Sequence, residues 1–184
     1  MRLANSFCAK TLNGVCMAAT ERLVVADAGP LIHLDELASL GLLADFGTVI
    51  VPDAVWREVE RHRPDALLVA ARFLQRQTVS GSSPLVHALV PLYTLHVGEQ
   101  EALHLCMKHG DSLLLTDDTA ARLAAKSLGI SAHGTVGLLI RSIRRQTRSK
   151  PEVLALMREI PSRTSLHIRW SLLRSLIAEV EAAS

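Results

Sequence analysis

The sequence predicts an α/β domain in which a parallel sheet carries helices on both faces. Short apolar runs, as at residues 23–26, 48–51 and 112–115, alternate with helical stretches, and that alternation calls for crossover connections between parallel strands. Acids follow several of these runs or stand in the opening turns of helices: Asp27, Glu58, Glu99 and the Asp117–Asp118 pair. At 184 residues and 49% hydrophobic, the chain can bury one sizeable core, so a single domain is expected.

Leu23–Ala26 reads as a buried strand that breaks at Asp27. Pro30 stands in the first turn of the next helix, where its missing N–H does no harm. Residues 31–37 and 40–46 read as helical and 48–51 as the second strand. Pro52 opens a helix through Glu60, and a further helix is expected over 65–75. Thr78 and Val79 are the expected third strand, followed by a loop at 80–84 and a helix over 85–92. Helix 98–109 leads to strand Ser112–Leu115, then to helix 119–128, which Gly129 stops. A short strand at 130–132 precedes helix 135–145, and helices over 151–160 and 166–180 close the chain. No internal repeat, low-complexity stretch or linker divides residues 22–184, so the C-terminal helices within 151–182 are expected to belong to the same domain.

Composition narrows the function classes. No apolar run approaches the roughly 20 residues that span a bilayer, so no membrane partner is expected. The formal net charge is only +2, so nucleic-acid binding would rest on local patches. Cys8, Cys16 and Cys106 form no CxxC pair and are odd in number, which points to a reducing cytoplasm. Residues 1–21 are of mixed polarity, with the apolar stretch broken by Lys10 and Asn13. They read as a poorly ordered extension, not a signal peptide.

The acids carry the chemistry. In a parallel α/β domain the ends of successive strands converge, so these carboxylates are expected to share one pocket at the point where strand order reverses. Asp27 ends the first strand, a place where an Asp also caps helices. Glu58 lies between Arg57 and Arg61, so pairing on a solvated face is its alternative role. Glu99 shares a helix face with Ala102, Leu103 and Cys106, which points it inward; Glu101, on a more mixed face, is the alternative. Asp117 and Asp118 are one acid more than a helix cap needs. Two carboxylates about 4 Å apart repel by roughly 4 kcal/mol at an effective dielectric near 20, so the cluster calls for a hard cation, Mg²⁺ or Mn²⁺. On this reading, neutralising Asp117 or Asp118 in the absence of metal should raise the melting temperature.

Arg141, Arg144, Arg145 and Arg148 recur at helical spacing opposite Leu139, Ile140 and Ile143. This stripe is either a solvated face or a phosphate-tracking surface. Arg122, one turn past Asp118, is a further candidate for acid or phosphate. Aromatics are only 3% of the chain, which disfavours base stacking on an aromatic platform. His104 and His109 are five apart, off the face a zinc pair would use, and no nucleotide-cradling glycine motif is present.

The stretches VVADAGPLIHL (24–34), VPDAVWREV (51–59), VGEQEALHLC (97–106) and LLTDDTAARLAAKSLGISAHGTVGLL (114–139) together resemble the PIN-domain family, in order and in spacing. The third and fourth blocks are most similar to a PIN-like subfamily of predicted nucleic-acid-binding proteins related to VapC-type toxins. The resemblance implies a three-layer α/β/α fold with a five-stranded parallel sheet in the order 3-2-1-4-5. It also implies a Mg²⁺- or Mn²⁺-dependent endoribonuclease that leaves 5′-phosphate and 3′-hydroxyl ends. Carried over by motif, Asp27, Glu58, Glu99, Asp117 and Asp118 are the catalytic acids, with Asp27, Glu99, Asp117 and Asp118 on the metal. The T-x-D pattern selects Asp118, and an A-L pair after an acid would select Glu101. Many relatives carry a hydroxyl residue two positions after the first acid, where this chain has Gly29. The implied partners are RNA, a small cognate antitoxin and a second copy of the chain. The alternative is a PIN fold that binds RNA or protein without cutting. A receiver-like phosphoacceptor domain would need an Asp after its third strand and a Lys near its fifth, and 78–80 and 129–132 provide neither.

Overall fold

A computed structural model describes residues 22–81 and 83–183, and the readings made for residues 1–21, including Cys8 and Cys16, lie outside them. The chain runs β1 (Leu23–Ala26), α1 (Ala28–Glu36), a 3₁₀ segment (Leu40–Phe46), β2 (Val49–Pro52), α2 (Asp53–His62), α3 (Pro64–Val69) and β3 (Leu74–Gln77). It continues through α4 (Pro84–Tyr93), α5 (Val97–His109), β4 (Ser112–Leu115), α6 (Thr119–Ser127), β5 (Ser131–His133), α7 (Thr135–Arg144), α8 (Lys150–Arg163) and α9 (Trp170–Ala182). The sheet is five-stranded and parallel in the order β3-β2-β1-β4-β5, with helices on both faces: a three-layer α/β/α domain.

The central strands are short apolar runs because both of their faces are covered. Val24 and Ala26 of β1, with Leu113 and Leu115 of β4, enter one core beside Leu34, Val55 and Val59. Val25 and Leu114 point the other way, into a second core with Leu103, Cys106 and Ala124. Burial pushes the Cys106 thiol up to about 12, so it behaves as a small apolar residue. A third cluster lies off the sheet, where Leu139, Val153, Met157, Ile160 and Leu173 pack α7, α8 and α9 together with Leu37.

Four expected elements differ in the structure. The helix expected over 65–75 stops at Val69, and the third strand is Leu74–Gln77, not Thr78–Val79. Residues 74–77 pair in register with Val49–Pro52, and β3 is an edge strand with only one apolar side chain, so it lacks the run that betrays a buried strand. Residues 40–46 form a 3₁₀ helix. The last helix begins at Trp170, not 166, because Glu36 holds the preceding strap extended: its carboxylate accepts the Ser165 N–H at 2.8 Å and the Ser165 hydroxyl at 3.2 Å.

Candidate active site

Strands β1 and β4 are the neighbours at which the sheet order reverses, and their register sets Ala26 beside Leu115. The next residues on each strand are therefore side by side: the Asp27 N–H donates to the Leu115 carbonyl at 2.8 Å, and Thr116 Oγ1 donates to Asp27 Oδ2 at 3.0 Å. Here the crossovers leave a crevice beyond the carboxyl ends of the strands. A pocket of about 360 Å³ opens at that point, lined by Asp27, Glu58, Glu99, Asp117 and Asp118. Acids separated by up to ninety-one residues of chain thus line one cavity (Asp27 to Asp118).

Each acid has a distinct setting. Asp27 is buried, and desolvation pushes its carboxyl up to about 7 against hydrogen bonds from Ala28 and Thr116, with Glu99 and Glu58 adding to the rise. Glu99 closes a capping box at the start of α5: the His96 N–H donates to Oε2 at 2.8 Å. Burial raises its pKa despite that bond, and Asp118 raises it further. Glu58 reaches in from the exposed side of α2. The approach of α5 to α2 requires Gly98, because a Cβ there would stand 3.0 Å from Val55 and 3.8 Å from both Asp27 Oδ1 and Glu58 Oε2.

The adjacent aspartates differ sharply. Asp118 caps α6 through Oδ1, which accepts the Ala121 N–H at 2.7 Å, and among the described residues no donor reaches its second oxygen. Asp117 has both oxygens engaged: Oδ1 accepts the Thr135 N–H at 2.7 Å, and Oδ2 accepts from Thr135 Oγ1 at 2.6 Å and His33 Nδ1 at 2.8 Å. The expectation that either aspartate could be neutralised with a gain in stability is therefore corrected for Asp117. Removing its charge weakens the three bonds it accepts.

Glu101, the alternative to Glu99, does not line the pocket. Its Oε2 accepts the Ala54 N–H at 2.8 Å, capping α2 from across the fold. The basic stripe divides in two. Arg141 and Arg145 grip the two oxygens of Asp45, each with its Nε at 2.8 Å, and Arg141 lies over the Phe46 ring. They hold α7 to the 3₁₀ segment, while Arg144 is exposed and Arg148 half-buried, and none of the four lines the acid pocket. Arg122 turns back to donate to the Thr116 carbonyl at 2.9 Å.

Sequence reasoning missed His33, Thr116, Thr135 and His167. The hydroxyls sit in the TDD and GT steps of the fourth block, a signal that was available. His33 and His167 had none, because only the packing of α1 and of the 164–169 strap brings them to the pocket. At Gly29 a Cβ would stand 3.4 Å from Asp117 Cβ and 3.6 Å from His33 Cε1, ordinary contact distances, so the imidazole lies beside that position without requiring glycine there.

The donor chemistry fits a hard divalent cation. Among the described residues no three His, Cys, Asp or Glu side chains converge into a compact cluster. Mg²⁺, however, keeps several waters and takes one or two protein carboxylates, and the pocket offers Asp27, Glu58, Glu99 and Asp118 at its wall.

The chain is thus a doubly wound α/β domain with carboxylates lining the pocket at its switch point. A family model described as PIN domain matches residues 23–182, and the chain belongs to the PIN-domain family. PIN domains are generally nucleases and generally use divalent metals. No curated protein and no solved structure matches the chain. No helix among the described residues is long and apolar enough to cross a membrane.

Proposed function

We propose that the protein is a Mg²⁺- or Mn²⁺-dependent endoribonuclease acting in the cytoplasm, the toxin half of a toxin–antitoxin pair. The observation that carries the nuclease reading is the pocket at the β1–β4 switch point, where a buried Asp27 faces Glu58, Glu99 and Asp118. The toxin role, with a small antitoxin and a second copy as partners, is supported by the similarity of the third and fourth sequence blocks to a PIN-like subfamily that is related to VapC-type toxins.

Asp27, Glu58, Glu99 and Asp118 are the residues that would hold the cation, and Asp117 is a positioning residue. When bound, the metal lowers the pKa of a coordinated water and screens the phosphodiester charge. The chain supplies the orientation. Thr116 fixes one Asp27 oxygen and leaves Oδ1 toward the pocket. The capping bonds of Glu99 and Asp118 each tie down one oxygen, which limits the rotation of the other. Burial pushes the Asp27 carboxyl up to about 7, so holding a cation there would require it to give up a proton near neutral pH, and metal affinity should rise with pH.

A second reading, a PIN fold that binds without cutting, is favoured by one observation: the acids line the pocket without forming a compact cluster. A manganese titration with labelled RNA separates the two. Metal-dependent cleavage by wild type and its loss in Asp27→Asn supports the nuclease. RNA binding with no cleavage at any manganese concentration supports the binding module.

A further inference from the structure

Three imidazoles line the acid pocket, those of His33, His96 and His167. His96 and His167 are exposed at its rim. His33 differs from both, because it is buried and only 11% of its side chain is exposed. It follows Gly29, another lining residue, by one turn of α1. Helical side chains lean toward the N-terminus of their helix. The ring accordingly reaches back until Cε1 is 3.6 Å from the place a Gly29 Cβ would take, and glycine leaves that edge of the ring uncovered.

The two ring nitrogens have different surroundings. Nδ1 donates to Asp117 Oδ2 at 2.8 Å, and Asp117 is itself held by the Thr135 N–H and hydroxyl. The tautomer and the orientation of the ring are therefore set from behind. A neutral imidazole protonated on Nδ1 carries its free lone pair on Nε2. Among the described residues no protein group meets Nε2, yet no buried side-chain nitrogen or oxygen there is sealed without a partner. Nε2 is therefore within reach of solvent, and the cavity that the ring lines is the acid pocket.

A carboxylate that takes one imidazole N–H and leaves the other nitrogen bare is the arrangement that orients a metal-binding histidine. We propose that His33 Nε2 is a ligand of the divalent cation in the acid pocket and that Asp117 orients it, so that the centre mixes nitrogen and oxygen donors. The proposal rests on the metal reading of the pocket. A further carboxylate beside Asp27, Glu58, Glu99 and Asp118 would add repulsion, whereas a neutral nitrogen adds a ligand without charge. One nitrogen and one or two carboxylates, with water elsewhere, hold such a cation without the compact cluster that the described residues lack. Imidazole suits transition cations and Mg²⁺ keeps to oxygen, so the centre should select Mn²⁺ over Mg²⁺.

The test is electron spin echo spectroscopy of Mn²⁺ bound to the full chain, which detects nitrogen on the metal. Wild type should show a nitrogen coupling that changes when its histidines are labelled with ¹⁵N. His33→Asn retains an N–H near the place of Nδ1, and with it the bond to Asp117, but has no group at Nε2. It should fold, lose the coupling and bind Mn²⁺ about tenfold more weakly by calorimetry, with a smaller loss for Mg²⁺. The double variant His96→Asn/His167→Asn should keep the coupling, because His33 is then the one imidazole left among the described lining residues. Loss of the coupling in the double variant would overturn the proposal even if His33→Asn failed to fold. Survival of the coupling in His33→Asn would also overturn it. So would Mn²⁺ bound to wild type with no nitrogen coupling, an outcome that leaves the cation reading standing. Wild type that binds no Mn²⁺ would remove both.

Discussion

His33 Nδ1 lies 2.8 Å from Asp117 Oδ2, tying the first helix to the acid pair after the fourth strand across 84 residues of chain. Because a carboxylate only accepts, that ring nitrogen carries the proton. Thr135 adds an N–H and a hydroxyl to the same carboxylate. Asp117 is thus the joint between α1, α7 and the loop that presents Asp118. The adjacent aspartates therefore have separate roles, and this separation yields the first prediction.

Without metal, Asp117→Asn should destabilise the fold by ~1–3 kcal/mol, because the amide cannot accept from all its present donors. Asp118→Asn should keep the α6 cap, since Asn caps as well as Asp, and its melting temperature should match or exceed wild type. Mn²⁺ should then stabilise wild type and Asp117→Asn, but Asp118→Asn much less. Thermal denaturation of the three proteins with and without Mn²⁺ checks this; equal metal responses would remove Asp118 from the cation.

Asp27 should give the metal-free protein a pH signature. Burial lifts its carboxyl from 3.8 to about 7, so the fold retains a proton that the unfolded chain has released. The contribution is least unfavourable below pH 3.8 and grows as pH rises to about 7, costing on the order of a few kcal/mol above that. Asp27→Asn should remove this component and melt higher than wild type above pH 7, with little difference near pH 3.8. Denaturant titrations across pH in EDTA test it. In Mn²⁺ with RNA, the same variant should lose ~100-fold or more in kcat/KM.

Asp45 should act with the opposite sign. Although its partial burial alone would raise the pKa, hydrogen bonds and charge from Arg145 and Arg141 hold it below 3.8. Its stabilisation is present above pH 3.8 and lost as pH falls below that value. Asp45→Ala should cost ~1 kcal/mol at neutral pH and less in high salt, since both arginines are partly exposed. Chemical denaturation at low and high salt measures this, and RNA cleavage by Asp45→Ala should be unchanged.

Glu101 and Glu99 should separate in the same way as the aspartates. Glu101→Ala removes the acceptor for the Ala54 N–H and should cost ~1–2 kcal/mol with the Mn²⁺ response intact. Glu99→Gln can still accept from His96, so it should retain most of its stability and lose metal response. Calorimetric Mn²⁺ binding to both variants distinguishes a brace from a ligand.

Gly134→Ala probes the joint by bulk. Gly134 has an extended backbone open to any residue, but a Cβ would stand 2.5 Å from Asp117 Oδ1, 2.6 Å from Arg122 Nη2 and 3.2 Å from the Thr116 carbonyl. Displacing Asp117 and Arg122 together should cost ~1–3 kcal/mol and lower kcat/KM. A variant as stable and active as wild type would show that the joint tolerates movement.

The sequence alone determined the layer architecture, the central strands and the approximate set of acids. Fully buried parallel strands must be almost wholly apolar, as Leu23–Ala26 and residues 113–115 are, and polar residues at their ends stand out against such runs. It could not show β3, an exposed edge strand with one apolar side chain, or the strap before α9, which Glu36 holds extended from a distant helix. Nor could it distinguish Asp117 from Asp118, and although helical spacing favoured Glu99 over Glu101 as the inward acid, it could not show what Glu101 does instead. Adjacent or near-adjacent acids are equivalent in composition, and their roles depend on which donors tertiary packing brings to them. His33 and Thr135 occupy one aspartate and Ala54 occupies the outer glutamate. Only the folded chain fixes those contacts, because each partner comes from a different crossover and none is set by local spacing.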